Sequence, residues 1–224
     1  MSKGRHVYVT GGSGLIGRAI VDAFKEKKYQ VTNLDRSEDA DIVIDFNMEF
    51  FNTEEFEQLF DKLNKDDIWI NSIYPPVWND HLVAYNIIST YAAMAMGENG
   101  GGSIINMSSI YGVRGTYPYL YTPGDEISEP SVEYCMVKGA INAMTKALAT
   151  RFGQHGVRAN TIIAGGVNDN HEERDINFYD QYICRVPLLR MAEAKEVAHA
   201  ALFLAENDYV TGIELPVDGG YTAW

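Results

Sequence analysis

Apolar residues recur along the chain in two alternating patterns. Short runs rich in β-branched residues, Val7-Tyr8-Val9, Val31-Thr32-Asn33-Leu34, Ile42-Val43-Ile44, Ile68-Trp69-Ile70, Ile104 to Met107 and Ala159 to Ile163, read as buried strands. Between them lie stretches in which apolar side chains return every three or four positions. Examples are Ile16, Ile20 and Phe24; Phe56, Leu59, Phe60 and Leu63; Tyr134, Val137, Ile141, Met144, Leu148 and Phe152; and Val197, Ala201 and Leu204. This is the spacing of a helix that buries one face. Asn52-Thr53-Glu54-Glu55 reads as a helix cap, and the small, apolar segment from Asp80 to Met96 reads as a buried or subunit-facing helix. Regular alternation of strand and helix predicts an α/β fold, a Rossmann-type doubly wound parallel sheet of about seven strands with helices on both faces.

Three segments depart from the rhythm. Only a brief connection joins Asp35 to Ile42, so the helix there shrinks to a loop or a single turn. The polar stretch from Asn168 to Arg185 has no clean stripe, which suits a mobile lid over a site. Pro216 within Glu214-Leu215-Pro216-Val217 argues for an edge strand, because proline cannot donate to a ladder on both sides.

Composition narrows the function classes. With 224 residues, 46% hydrophobic and 22% charged, the chain suits one domain over 1–224 with a sizeable core. A formal charge of −13 argues against nucleic acid and anionic membrane surfaces as partners, since both want a basic face. Cys135 and Cys184 form no metal or disulfide framework by spacing, and no metal is expected. With no signal-peptide core after Met1 and no apolar run of membrane-spanning length, the expected location is the cytoplasm.

Candidate chemistry clusters where strands end. Thr10-Gly11-Gly12-Ser13-Gly14-Leu15-Ile16-Gly17 lies between a strand and a helix, where glycines admit a pyrophosphate and the helix N-terminus offers it unpaired N–H groups. Gly11, Ser13, Gly14, Leu15 and Ile16 are therefore candidate cofactor contacts. Asp35 ends the next strand at close to the spacing expected of a carboxylate that bonds a ribose diol, although a strand-end Asp also serves simple turns. Arg36 follows it. Asp45 at the third strand's tip faces either an adenine amino group or only solvent. Ser109 closes the run Ile104-Ile105-Asn106-Met107-Ser108-Ser109, and Tyr134 and Lys138 lie one helical turn apart on one face. An ammonium beside a phenol favours the phenolate, so this spacing predicts a Tyr134 pKa lowered toward neutrality and a proton exchanged with a carbonyl or alcohol.

Taken together, Thr10-Gly11-x-x-Gly14-x-x-Gly17, Asn71, Ser108-Ser109, Tyr134-x-x-x-Lys138, Ala164-Gly165 and Val217-Asp218-Gly219-Gly220 resemble the short-chain dehydrogenase/reductase family over nearly the whole chain. That resemblance implies an NAD(P)-dependent hydride transfer within a homodimer or homotetramer packed through the two long mid-chain helices. It assigns Ser109 to polarise the substrate oxygen, Tyr134 as acid/base, and Lys138 to hold the nicotinamide ribose while tuning Tyr134. Asn71, Gly165 and Val167 complete the cofactor set it implies.

Four features differ from the family pattern. Leu15 stands where single-domain members usually carry Gly, and Tyr74-Pro75 replaces an Ala-Gly ending after Asn71. Ala164 replaces the proline of a Pro-Gly exit, and His81 falls where a fourth catalytic residue, an Asn, is usual, with Asn86 the nearest Asn. Asn71-x-x-Tyr74-Pro75, the insertion from Val113 to Glu133 and the ending Asp218-Gly-Gly-Tyr-Thr-Ala-Trp224 further resemble the subgroup found with flagellin-modification and nonulosonic-acid sugar genes.

Asp35 predicts NAD over NADP, because a 2′-phosphate would meet like charge, whereas Arg36 would welcome that phosphate if Asp35 turned away. The insertion carries Tyr117, Tyr119, Tyr121, Asp125, Glu126 and Glu129. It is either a site border suited to a polyhydroxylated ring or a plain surface excursion. The expected small-molecule substrate is a sugar or sugar-derived alcohol or ketone. A 3-oxoacyl-carrier ketoreductase and a non-catalytic dinucleotide-binding regulator are the alternatives.

Overall fold

The structure, a computed structural model, describes residues 4–74, 78–121, 129–169 and 176–224. Its strands are β1 (His6–Thr10), β2 (Gln30–Asp35), β3 (Ile42–Val43), β4 (Ile68–Asn71), β5 (Gly102–Ser109), β6 (Val157–Ala164) and β7 (Glu214–Val217). They form one sheet in the order β3-β2-β1-β4-β5-β6-β7, every pair parallel. The doubly wound Rossmann-type sheet is thus as expected, with β7 and its Pro216 at an edge. Chain order reverses between β1 and β4, and a crevice opens at the carboxyl ends of strands at such a switch point.

The helices are α1 (Leu15–Glu26), α2 (Glu54–Phe60), α3 (Trp78–Glu98), α4 (Val132–Phe152), α5 (Ile176–Ile183) and α6 (Ala194–Glu206). Alternation along each strand assigns the faces. Tyr8, Trp69 and Ile104 pack in the cluster that holds Tyr85, Ile88, Val137 and Ile141 of α3 and α4. Their neighbours Val7, Val9, Ile68, Ile70 and Ile105 pack with Ile20 and Phe24 of α1 and with Val197 and Ala201 of α6. A sheet buried on both faces explains why β4 and β5 are buried at every position. No described helix is long and apolar enough to cross a membrane.

Two close approaches fix the geometry of the crevice. Gly11, at φ +73°, lies so near the loop after β4 that a Cβ there would sit 2.5 Å from the Ser72 carbonyl oxygen. Gly112 lies against α4, where a Cβ would sit 2.8 Å from the Lys138 carbonyl carbon. Side chains at either position would push apart the elements that carry the candidate residues.

Several expectations are corrected. The segment from Asn168 to Arg185, expected to have no clean stripe, contains α5, whose Phe178 and Tyr182 pack into a cluster with Tyr111, Leu120, Val186 and Tyr221. Residues 170–175 lie outside the described residues. The third strand stops at Val43, because Ile44 turns inward to the core and Asp45 falls past the ladder. Leu63 is buried but lies beyond the end of α2. The short Asp35–Ile42 connection is a loop, as expected.

Candidate functional site

A cleft of about 570 Å³ opens at the carboxyl ends of β1, β2 and β4. Gly11, Ser13 and Gly14 form one wall and Asp35, Arg36 and Asp45 another, with Ile44, Phe46 and Ile73 supplying apolar surface. Helix α1 begins at Gly14 with no side chain capping it, so its N-terminal end at Leu15 and Ile16 keeps the dipole that attracts an anion. Asp35 is held rigidly. One carboxylate oxygen accepts from the Ser13 amide at 3.1 Å and the other from the Ser37 amide at 3.1 Å. Arg36 is exposed on the rim, whereas Arg18 is engaged with Asp39 at 2.9 Å. Asp45 is exposed and accepts from the Asn47 side chain at 3.2 Å.

Ser109, Tyr134 and Lys138 come together at the end of β5. The Ser109 hydroxyl accepts from the Tyr111 amide at 3.2 Å and is hydrogen-bonded to the Tyr134 side chain. Helix α4 is capped by Ser131, whose hydroxyl accepts from the Tyr134 amide at 3.2 Å. The Ser108 hydroxyl donates to the Lys138 carbonyl at 3.0 Å, pinning α4 to β5. Lys138 is buried, its Nζ donating to the Met107 carbonyl at 3.4 Å and lying 5.7 Å from the Tyr134 ring centroid.

The electrostatics reverse one expectation. Burial pushes the Tyr134 phenol up to about 12, against the lowering effect of its Ser109 hydrogen bond. Burial also pulls Lys138 down to about 7. Desolvation disfavours both charged forms and here outweighs the attraction between ammonium and phenolate that the spacing suggested. The protein therefore holds a neutral phenol ready to donate.

Asn71 has a different occupation from the one expected. Fully buried, it accepts from the Thr10 hydroxyl at 3.0 Å and the Trp69 indole at 2.9 Å, and donates to Ser89 at 3.0 Å and Asn106 at 2.9 Å. An amide with two acceptor sites and two donors is then fully used. Its side chain is a peg joining β1, β4, β5 and α3, and it touches the cleft only by fixing the loop that follows. In that loop Tyr74 is 63% exposed and sets its ring edge toward His81, centroids 5.8 Å apart. Pro75 lies outside the described residues.

His81 is fully buried, and the nearby Lys138 charge adds to burial in holding its imidazole neutral, down to about 3. Asn86 is exposed on α3, away from this cluster. After β6, Gly165 donates to the Val217 carbonyl at 3.0 Å and Gly166 to the Tyr182 hydroxyl at 2.5 Å. Val167 forms a parallel bridge with Ala192 through the Gly166 carbonyl and the Asn168 amide, leaving its own amide outside that bridge.

Of the insertion, Tyr121 shares a 2.8 Å hydrogen bond with Tyr111, and Tyr117 lies under the Arg185 guanidinium, 3.8 Å from ring centroid to charge. Tyr119 is exposed and Glu129 accepts from Thr116 at 2.5 Å, while Asp125 and Glu126 lie outside the described residues. Sequence reasoning missed Tyr85 and Tyr182, which only the fold brings to Lys138 and Gly166.

Residues 80–222 match the family model described as enoyl-(acyl carrier protein) reductase. The bovine (Bos taurus) L-fucose dehydrogenase is 31% identical over 97% of this chain and 89% of its own length. The chain belongs to the short-chain dehydrogenase/reductase family. Members of this family are NAD(P)-dependent oxidoreductases. Another relative, a 2,5-dichloro-2,5-cyclohexadiene-1,4-diol dehydrogenase of Sphingobium indicum, is 36% identical over 56% of this chain, and the match spans 46% of that protein, about half its length. Among solved structures, a short-chain dehydrogenase from Leptospira borgpetersenii with bound NAD+ superposes with a TM-score of 0.79 at 29% identity, covering 97% of this chain and 92% of that one. In this short-chain dehydrogenase/reductase the trio at the end of β5 and the cleft beside β1 are neighbours across Tyr74 and His81.

Proposed function

We propose that the protein is an NAD-dependent oxidoreductase that moves a hydride between nicotinamide and a sugar-like alcohol or ketone. The observation that carries it is the hydrogen-bonded pair Ser109–Tyr134 with the Lys138 ammonium beside it, next to Tyr74, which lines a glycine-walled cleft. The cleft suits a dinucleotide. Gly11 leaves no room for a Cβ, α1 has an uncapped N-terminus for a pyrophosphate, and Asp35 is a fixed carboxylate for a ribose diol. Gly11, Ser13, Gly14, Leu15, Ile16 and Asp35 would hold the adenosine and pyrophosphate end, with Asp45 near the adenine. Tyr134, Lys138, Gly165 and the Val167 amide would hold the other end.

When bound, the nicotinamide supplies or accepts the hydride. The chain's own residues do the rest. Ser109 positions the substrate oxygen by a hydrogen bond, Tyr134 gives a proton to that oxygen in reduction and takes one in oxidation, and Lys138 places a positive charge against the phenol. A regulator that binds the dinucleotide without turnover would have no use for a buried ammonium beside that phenol.

Asp35 supports NAD over NADP. Both carboxylate oxygens are anchored by backbone amides, so the group cannot turn away to let Arg36 take a 2′-phosphate. Like charge at close range costs several kcal/mol, roughly a hundredfold or more in affinity. Titration with both cofactors should show NAD tighter, and tighter NADP would overturn the assignment.

For the substrate, the L-fucose dehydrogenase and the cyclic diol dehydrogenase among the relatives support a polyhydroxylated ring. Tyr121 and Tyr134, both packed against the cluster of Tyr111, Leu120 and Tyr182, support an aromatic border for it. The flagellin-modification and nonulosonic-acid subgroup is one such sugar-handling class, and it rests on the motif resemblance. Cofactor reduction and oxidation should be screened against sugars, amino sugars, their phosphates and nucleotide-linked forms, with acetoacetyl thioesters opposed. Turnover on a sugar is the expected result. Thioester reduction with silence on every sugar would favour the acyl-carrier reading, and silence on both would revive the regulator.

His81 belongs to this reading as the stand-in for the usual Asn. Because burial keeps it neutral, it acts on the pH–rate profile through Lys138 rather than by its own titration. The profile of His81→Asn should shift in the limb near pH 7 that Lys138 governs. Superimposable profiles would remove His81 from the site. Exposed Tyr91 and Met94 on α3 and Val132 and Met136 on α4 support a homodimer or homotetramer. Free Cys135 and Cys184 support a cytoplasmic location.

A further inference from the structure

Lys138 is a buried ammonium with little to compensate it. Among the described residues no carboxylate pairs with it, and its one recorded hydrogen bond, to the Met107 carbonyl, is long at 3.4 Å. Two aromatic faces make up the remainder, Tyr134 with its centroid at 5.7 Å and Tyr85 at 5.6 Å. Both lie within cation–π range, which is worth most when the charge is desolvated. The Tyr134 ring carries the reacting hydroxyl, so it has two duties.

Tyr85 is fixed from several directions. It is fully buried on α3, its hydroxyl donates to the Asn71 carbonyl at 3.0 Å with the Ile73 carbonyl at 3.4 Å, and its ring stacks at a tilt on His81, centroids 5.0 Å apart. The hydroxyl thus ties down the Asn71–Ile73 turn that lines the cofactor cleft, while the ring faces the ammonium.

We propose that Tyr85 is a positioning residue that serves both halves of the site: its ring holds Lys138 charged and in place beside Tyr134, and its hydroxyl sets the wall of the cleft. This rests on the oxidoreductase reading for its meaning in turnover. The groups facing Lys138 and Tyr134 are Tyr85 and His81 from α3, Tyr74 from the loop after β4, Ser109 and the Met107 carbonyl from β5, Cys135 from α4 and Tyr121 from the insertion. Burial keeps Tyr85, Tyr134 and His81 neutral, so Lys138 is the member of this set that changes charge near neutral pH. Removing the electron-rich face leaves the ammonium less favoured, and its proton is lost at lower pH.

The test separates ring from hydroxyl. The Lys138 side-chain nitrogen is titrated by NMR in cofactor-free protein, its signal assigned by its absence from Lys138→Met. Tyr85→Phe should titrate within a few tenths of a pH unit of the parent yet bind cofactor several-fold more weakly, because only the tie to the turn is lost. Progressively fluorinated phenylalanines at position 85 keep the volume and drain the ring face. They should lower the midpoint stepwise, by about one pH unit at full fluorination. A midpoint indifferent to fluorination would overturn the proposal, as would a Tyr85→Phe cofactor affinity equal to the parent's. If Tyr85→Phe does not fold, 4-aminophenylalanine at position 85 keeps a neutral donor on a more electron-rich ring and should raise the midpoint instead, and an unmoved midpoint would overturn the proposal. The titration needs no turnover. A flat series beside a dead Tyr134→Phe sinks only the role of Tyr85, whereas a stepwise series with no substrate found sinks only the oxidoreductase reading.

Discussion

Replacing Tyr134 with Phe is expected to lower turnover by about 10²- to 10⁴-fold, the usual contribution of a positioned general acid or base. Cofactor affinity should stay within a few-fold. Phe keeps the ring over which the Lys138 ammonium lies, and the backbone amide that Ser131 caps, so α4 and the charge beside it are undisturbed. What is lost is the hydroxyl bonded to Ser109, the atom that would hand a proton to the substrate oxygen. Because that phenol is pushed up to about 12, it is protonated at any working pH in the cofactor-free protein. The reductive direction therefore starts with its acid in place. Steady-state kinetics beside equilibrium cofactor titration separate the two quantities. Parent-like turnover by Tyr134→Phe would end its assignment as acid/base, and a collapse of cofactor binding would mean that the hydroxyl serves to hold the cofactor rather than to move a proton.

How much of this was legible in the chain depends on the range of the interaction. Strand and helix periods are local, so the alternation followed from side-chain spacing, and the edge position of β7 followed from the donor that Pro216 lacks. Ser109, Tyr134 and Lys138 were likewise readable, because a strand tip and one helical turn fix where side chains lie. Helix α5 was not. Its Phe178 and Tyr182 sit among polar residues with no clear stripe, and they pack against Tyr121 and Tyr221, which arrive from distant parts of the chain. The occupation of Asn71 was not legible for a related reason. The family resemblance placed it in the cofactor set, and only register against Thr10 and Asn106 shows its side-chain amide engaged within the sheet. The sign of the Tyr134 shift failed because a four-residue spacing reports proximity and says nothing of burial. Only the packed structure shows that desolvation exceeds the pair's attraction.

That same burial makes Lys138 a load on stability, and Lys138→Met should be more stable than the parent while losing most turnover. Met keeps an unbranched chain of similar reach with no charge to desolvate. The parent lysine falls from an ordinary 10.5 to about 7 on folding. Below about pH 7 both folded and unfolded chains carry the proton, so the full desolvation cost is present. Between about 7 and 10.5 the unfolded chain binds a proton that the folded chain does not, and parent stability rises with pH through that window. The advantage of Lys138→Met should therefore be greatest near neutrality and below, at most about 5 kcal/mol for such a shift, and should fade toward pH 10. Urea unfolding of the two cofactor-free proteins at several pH values reads this directly. A variant no more stable than the parent at about pH 6, or an advantage that grows with alkalinity, would show that the ammonium is not paying a desolvation cost here. The opposite result in activity is required by the same geometry, since the methionine brings no charge to the phenol and no donor to the cleft. Stability gained where turnover is lost is the signature of a side chain held in place for chemistry at the expense of the fold.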